Sequence, residues 1–207
     1  MSTHQEDLSI RNPARIAVFA SGSGSNALSL MQRFNKDSVI AQVVFLLTNK
    51  PDCGAVQHAN ACGVEVVLLT RENFILGNDV ILRLREARVG FLVLAGFLWK
   101  VPVHVVTAFE SRIINLHPSL LPKFGGRGMY GRNVHEAVWK AKERQTGITV
   151  HIVNEHYDEG SIIFQVSVPL DERDGINEIE RKVRELERNY FCNTVERFVT
   201  EFRITNK

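Results

Sequence analysis

Short apolar runs rich in β-branched residues recur along this chain with amphipathic stretches between them, and that alternation sets the tightest limit on its fold. The runs are Arg15–Ala20 (RIAVFA), Val39–Leu47, Val64–Leu69 and Phe91–Ala95 (FLVLA). Between them, Ala27–Phe34, Pro51–Cys62 and Glu72–Arg88 read as helices, the last carrying Ile81, Leu82 and Leu84 at helical spacing. Strands that are apolar throughout need cover on both faces, the condition of a parallel sheet with crossover helices. Right-handed crossovers then build an open, doubly wound α/β sheet. Such sheets bind ligands outside the carboxyl ends of their strands. Three segments fall there: the turn Ser21–Asn26 (SGSGSN), Gly96–Lys100 and Asn115–His117.

The second half reads as a strand at Ile113–Leu116, a Pro/Gly-rich loop at Pro118–Gly131 and a helix at Asn133–Glu143. Strands Gly147–Val153 and Ser161–Val168 follow, joined by a polar turn containing Asp158-Glu159-Gly160. Ile176–Phe202 places Ile179, Val183, Leu186, Tyr190, Val195, Phe198 and Phe202 along one face of a closing helix. No repeat or linker divides the chain, so 15–207 is expected to be one domain, with 15–100 forming a phosphate-binding half and 101–207 the other. Residues 1–14 are polar and lack the apolar core of a signal peptide, which marks them as a loose extension.

A hydrophobic fraction of 44% is enough for a core, and the net charge of +2 lacks a basic block that would call for nucleic acid. No apolar run reaches the roughly 18 residues that cross a bilayer. Three cysteines, Cys53, Cys62 and Cys192, suit a reduced, cytoplasmic protein. Cys53, His58 and Cys62 match no tight zinc spacing, so no metal is expected. Small-molecule partners fit this profile, and monomer and homodimer both stay open.

A strand, then Gly22-Ser23-Gly24-Ser25-Asn26, then a helix makes a cradle for phosphate. Glycines let the backbone approach an anion, and the helix start supplies free N–H groups and a positive dipole end. Gly22, Gly24 and Ala27 also satisfy the G-x-G-x-x-A dinucleotide fingerprint. That use wants an acid at the tip of the second strand to hold a ribose. The tip here is Leu47-Thr48-Asn49-Lys50, without a carboxylate, and Ser25 and Asn26 add donors suited to a terminal phosphate. A phosphate monoester is the better reading, with a dinucleotide or an unliganded turn as alternatives.

In Asn115-Leu116-His117-Pro118-Ser119-Leu120-Leu121-Pro122, residues two apart on an extended chain point the same way, so the Asn115 amide and His117 imidazole share a face. Pro118 biases His117 towards an extended backbone. An amide donor beside an imidazole suits acyl transfer: one holds a developing oxyanion, the other handles a proton. Taken alone, an Asn-x-His is more often structural than catalytic.

These residues resemble the formyltransferase family that uses 10-formyltetrahydrofolate. The likeness rests on Asn-x-His-Pro-Ser-Leu-Leu-Pro, on Thr146-Gly147-Ile148-Thr149-Val150-His151 and on Asp158-Glu159-Gly160, in that order. Ser-Gly-x-Gly-Ser-Asn and Leu94-Ala95-Gly96-Phe97 are similar to the family's glycinamide ribonucleotide branch, and the likeness runs from Arg15 to Phe202. It implies a single-domain, mostly parallel sheet with an antiparallel C-terminal strand and a closing helix. It also implies a purine-route enzyme with 10-formyltetrahydrofolate as co-substrate. Asn115, His117 and Asp158 would be catalytic: Asn115 and His117 would stabilise the oxyanion, and Asp158, raising the His117 pKa, would assist proton transfer. Gly24, Ser25 and Asn26 would hold the substrate phosphate; Pro118, Arg184 and Glu187 would contact the rest of that substrate. Leu98, Trp99, Val150, Asn154, Glu155, His156 and Tyr157 would line the folate pocket.

Two features depart from that pattern. The loop Lys123–Arg132 (KFGGRGMYGR) is longer than the resemblance leads one to expect, and reads either as a cap over the ribonucleotide or as plain surface. Trp99, followed by Lys100, would reshape the folate side. His135, His151 and His156 are expected to be peripheral, His156 shaping the acidic turn, and the charges of Glu178–Arg188 to form a solvated face with pairs such as Glu180–Arg184. Related activities are expected to need domains that this chain lacks: a C-terminal domain of about 100 residues for methionyl-tRNA, a regulatory N-terminal domain for formylfolate hydrolysis. A sugar-nucleotide formyltransferase could have this length, but the Gly-Ser-Asn loop speaks against it. A non-catalytic nucleotide-binding module would gain if Asp158 stood beyond about 10 Å from His117, outside one-water reach.

Overall fold

The computed structural model describes residues 12–35 and 38–205. The expected N-terminal extension therefore lies outside the described residues as far as residue 11, and β1 begins at Ala14. Among the described residues seven strands form one sheet: β1 (Ala14–Phe19), β2 (Ala41–Thr48), β3 (Glu65–Leu68), β4 (Phe91–Leu94), β5 (Ile113–His117), β6 (Gln145–Ile152) and β7 (Ile162–Pro169). Their order is β3-β2-β1-β4-β5-β6-β7. Pairings from β3 through β5 are parallel; β6 pairs antiparallel with both β5 and β7, so it alone runs against the others. The chain winds outward from β1 to β3 and then returns to place β4 on the other side of β1. A crevice opens at such a reversal, at the strands' carboxyl ends.

Alternation along β1 explains the cover on both faces. Ile16 and Val18 face a core shared with helices α1 (Ser25–Phe34), α2 (Gly54–Ala61) and α6 (Ile176–Thr205). Ala17 and Phe19 face a second core, filled by Phe74, by Val80, Ile81 and Leu84 of α3 (Asp79–Glu86), and by Val105 of α4 (Val103–Ala108). Helix α6 closes the first face with Ile179, Val183, Phe191, Val195 and Val199 buried. Each such side chain contributes about 1.5–3 kcal/mol on leaving water. Helix α5 (Arg132–Lys140) lies along α6 through Val134, Val138 and Ile179. Among the described residues no helix is long and apolar enough to cross a membrane.

The structure corrects two elements. The expected helix Glu72–Arg88 is broken into a π-helical turn, Arg71–Leu76, and α3. Thr70 and Asn73 form a reciprocal capping box that starts the first piece early, and Gly77 then turns extended and ends it. Helix α4 was not expected from the sequence. Its six residues, VHVVTA, have strand-like composition, and its start is fixed by Pro102 at the N-cap rather than by propensity.

Candidate active site

At the carboxyl ends of β1, β4 and β5 lies a cavity of about 550 Å³. Ser21–Asn26 forms one wall, Gly96–Val101 a second and Asn115–Pro118 the floor; Gly126–Gly131, the Asn154 to Asp158 turn and α6 complete it.

The floor holds the chemistry. Asn115 and His117 stand on β5 with their side chains on one face, and β6 pairs Asn115 with His151. Asp158, in a left-handed backbone conformation that Asp tolerates, brings its carboxylate to both (φ 57). Its Oδ2 is 3.6 Å from His117 Nδ1 and accepts from the Gly126 N–H at 2.8 Å. Its Oδ1 is 3.4 Å from Asn115 Nδ2 and 3.5 Å from His151 Nε2. The turn requires Gly160, where a Cβ would overlap the Ile152 carbonyl.

Hydrogen-bond partners assign the rings. His151 Nδ1 lies 2.9 Å from the Ile152 carbonyl, so it donates there, leaving Nε2 to accept from Asn115 Nδ2 at 3.1 Å. His117 Nε2 likewise donates to the Phe124 carbonyl at 2.8 Å, leaving Nδ1 towards Asp158. His151 is thus no peripheral residue: it is 2% exposed and orients the Asn115 amide. The signal was its position at the tip of a strand beside the motif, but only the β5–β6 register gives that position meaning.

Burial pushes the His117 pKa down; Asp158 and the Phe124 carbonyl oppose it, and burial prevails. The expected net rise is therefore corrected. For Asp158, burial pushes upward but the neighbouring His151 and His117 rings and the Gly126 N–H outweigh it, so the carboxyl sits below its usual range. Near neutral pH the pair is a neutral imidazole beside a carboxylate.

Helix α1 starts at Gly24 with no side-chain cap and no acid in its first turn, leaving its first N–H groups and positive end to the cavity. Asn26 is partly committed, donating from Nδ2 to Glu187 Oε2 at 2.9 Å. Burial raises the Glu187 pKa, with the Asn26 bond opposing. At the β2 tip, Asn49 accepts from Ser21 Oγ at 2.6 Å, where a dinucleotide site would present an acid. Arg184 pairs with Glu180 at 2.6 Å, and both line the cavity with Glu187 rather than facing only solvent.

Leu98, Trp99, Pro118, Asn154, His156 and Tyr157 are all on the wall. Two expected folate residues are not: Val150 is enclosed in the first core, and Glu155 is outside the wall with its carboxylate 3.8 Å from His156. Lys100 Nζ sits 5.4 Å over the Tyr157 ring and ties the second wall to the acidic turn. The Lys123–Arg132 loop is more than surface, since Phe124 and Gly126 bind His117 and Asp158 through their backbones.

The chain was compared with known proteins. The family described as formyl transferase matches residues 14–195. A chloroplastic phosphoribosylglycinamide formyltransferase of Vigna unguiculata is 40% identical over 90% of this chain and 61% of its own, so the chain spans about three-fifths of that relative. The phosphoribosylglycinamide formyltransferase of Haemophilus influenzae is 31% identical, over 93% of this chain and 90% of its own. The crystal structure of the Bacillus halodurans phosphoribosylglycinamide formyltransferase superposes with a TM-score of 0.81 at 32% identity, covering 89% of this chain and 95% of that one. The same fold thus recurs in a protein that bears this name, and the chain belongs to the formyl transferase family.

Proposed function

We propose that this chain transfers the formyl group of 10-formyltetrahydrofolate to the primary amine of 5-phosphoribosylglycinamide, a step of purine (IMP) synthesis. The observation that carries this reading is the meeting of Asn115, His117 and Asp158 on the floor of a cavity whose wall is an uncapped helix start. At 3.6 Å, His117 and Asp158 stand well inside the separation that would have favoured a non-catalytic module. The cytoplasm, or the chloroplast named for the plant relative, would be the compartment.

The amine attacks the formyl carbon, the carbonyl becomes a tetrahedral oxyanion, and the bond from carbon to N10 then breaks. One Asn115 N–H is held by His151 at 3.1 Å, whereas the other meets Asp158 only at 3.4 Å and is the one left to serve the oxyanion. The amine's surplus proton passes to neutral His117 at Nδ1, and the imidazolium so formed is stabilised by Asp158. That cation then faces the oxyanion, and the proton leaves with N10. Gly24 to Asn26 would hold the phosphate, and Leu98, Trp99 and the Asn154–Tyr157 turn would receive the folate ring system.

Loss of the formyl folate, followed with and without phosphoribosylglycinamide, tests the reading. Amine-dependent turnover is expected; its absence refutes the proposal, and formate release without amine means hydrolysis instead. The pH profile adds a check. A base with a depressed pKa keeps its free form to lower pH, so kcat at saturating amine should stay flat around neutrality and fall only below about pH 6.5. A limb centred above that value contradicts His117 as the base.

A further inference from the structure

His135 sits near the start of α5, 4% exposed, next to Val134, which packs with Ile179 of α6. Its Nδ1 is enclosed without a hydrogen-bond partner. Yet the same residue lines the cavity, so the accessible edge of the ring is the one that meets the ligand space. An apolar side chain would fill this buried position without leaving a polar atom unmatched. An enclosed N–H without a partner is rarer than an unpaired acceptor, so Nδ1 carries the lone pair and the proton belongs on Nε2. Burial also lowers the pKa, with Glu180 opposing and Arg184, Arg132 and His117 adding to the fall, so the ring is neutral. The cavity therefore meets an uncharged donor.

Glu180, Arg184 and Glu187 follow one another at helical spacing along the cavity side of α6. Glu187 is bonded to Asn26 of the phosphate loop. Glu180 and Arg184, at the other end of this row, act electrostatically on His135, as does His117. A neutral donor there matches neither phosphate nor the folate glutamate, but an uncharged oxygen between the phosphate and the reacting amine.

We propose that His135 is a recognition residue for the amine substrate, its imidazole donating a hydrogen bond to a ribosyl hydroxyl or to the glycinamide carbonyl. This rests on the acceptor named under the proposed function. The test is steady-state kinetics of the full chain as wild type, His135→Leu and His135→Gln. Leucine keeps the bulk and removes both nitrogens; glutamine returns an N–H near the Nε2 position. His135→Leu should raise KM for phosphoribosylglycinamide about 10-fold, the value of one hydrogen bond lost against an unpaired partner. Its kcat and its KM for formyl folate should stay within about threefold, and His135→Gln should recover most of the loss. An unchanged acceptor KM in His135→Leu overturns the proposal, as does an equal fall in both variants accompanied by lower thermal stability, which would mean packing alone. Should leucine prevent folding, His135→Met, a more adaptable filler, carries the same comparison. A deoxyribosyl acceptor separates the two oxygens: if its penalty disappears in His135→Leu the hydroxyl is the partner, and if it persists the carbonyl is. A wild type without amine-dependent turnover refutes the acceptor itself, whereas turnover that ignores His135 refutes only this role.

Discussion

Asp158→Asn should lower kcat by about 10³-fold while the protein stays folded and its KM for formyl folate stays near the wild-type value. The substitution keeps shape: an asparagine oxygen can still accept from Gly126, whose N–H lies 2.8 Å from Oδ2. What it removes is the charge 3.6 Å from His117. Without it, an imidazolium formed during amine attack is buried with no compensation, and burial already depresses this ring. The new amide would also set its own N–H groups against those of Asn115, 3.4 Å away, disturbing the second catalytic group. General acid–base contributions run about 10²–10⁴, and a group serving both partners belongs near the middle of that range or above. Since Asp158 is one of the two influences that raise the His117 pKa, the acid limb of the residual activity should also move to lower pH. A kcat within tenfold of wild type, or a limb that moves upward, removes Asp158 from the proton path.

The parts of this site that sequence could reveal are those governed by local geometry. Asn115 and His117 share a face because strand residues alternate, and no knowledge of the fold is needed to see it. Asp158 came through resemblance, and its approach depends on a left-handed residue and on Gly160 closing against Ile152. His151 reaches Asn115 across the antiparallel register between β5 and β6, a pairing that nothing local encodes. The sign of the His117 shift is hidden from the sequence for a related reason: a neighbouring charge follows from a motif, whereas burial is a sum over distant segments. Val150 illustrates the period-two rule from the other side, since a residue beside His151 on the same strand faces the core instead of the cavity. The α/β winding was legible because four apolar strands admit few alternatives. The break at Gly77 and the β-branched α4 were not, since capping and tertiary cover overrode periodicity and propensity there.

The two glycines of the phosphate loop make unequal demands. Gly24→Ala should lower the melting temperature by about 5–15 °C and raise the acceptor KM at least tenfold, whereas Gly22→Ala should do little to either. Gly24 is the N-cap of α1 at φ 78, a left-handed conformation costing an alanine about 1–2 kcal/mol. Its Cβ would also come 2.7 Å from the Ala55 Cβ and 2.8 Å from the Ala55 nitrogen at the start of α2. Neither helix can yield freely, since Ala55 is enclosed and its N–H is bonded to the Gly22 carbonyl at 3.2 Å. Overpacking of this kind costs about 1–3 kcal/mol, and in a chain of this size each kcal/mol moves the midpoint by about 2–4 °C. The relaxation left to the protein is to push the α1 start towards the cavity, displacing the N–H groups that would meet the phosphate. Gly22 has no heavy atom within 4 Å of a built Cβ and no positive φ. In a dinucleotide fingerprint the first glycine makes the tight turn and the second admits the pyrophosphate, so both would matter. A harmful Gly22→Ala would therefore revive the dinucleotide reading, and a harmless Gly24→Ala would mean that the cradle has no role in holding the acceptor.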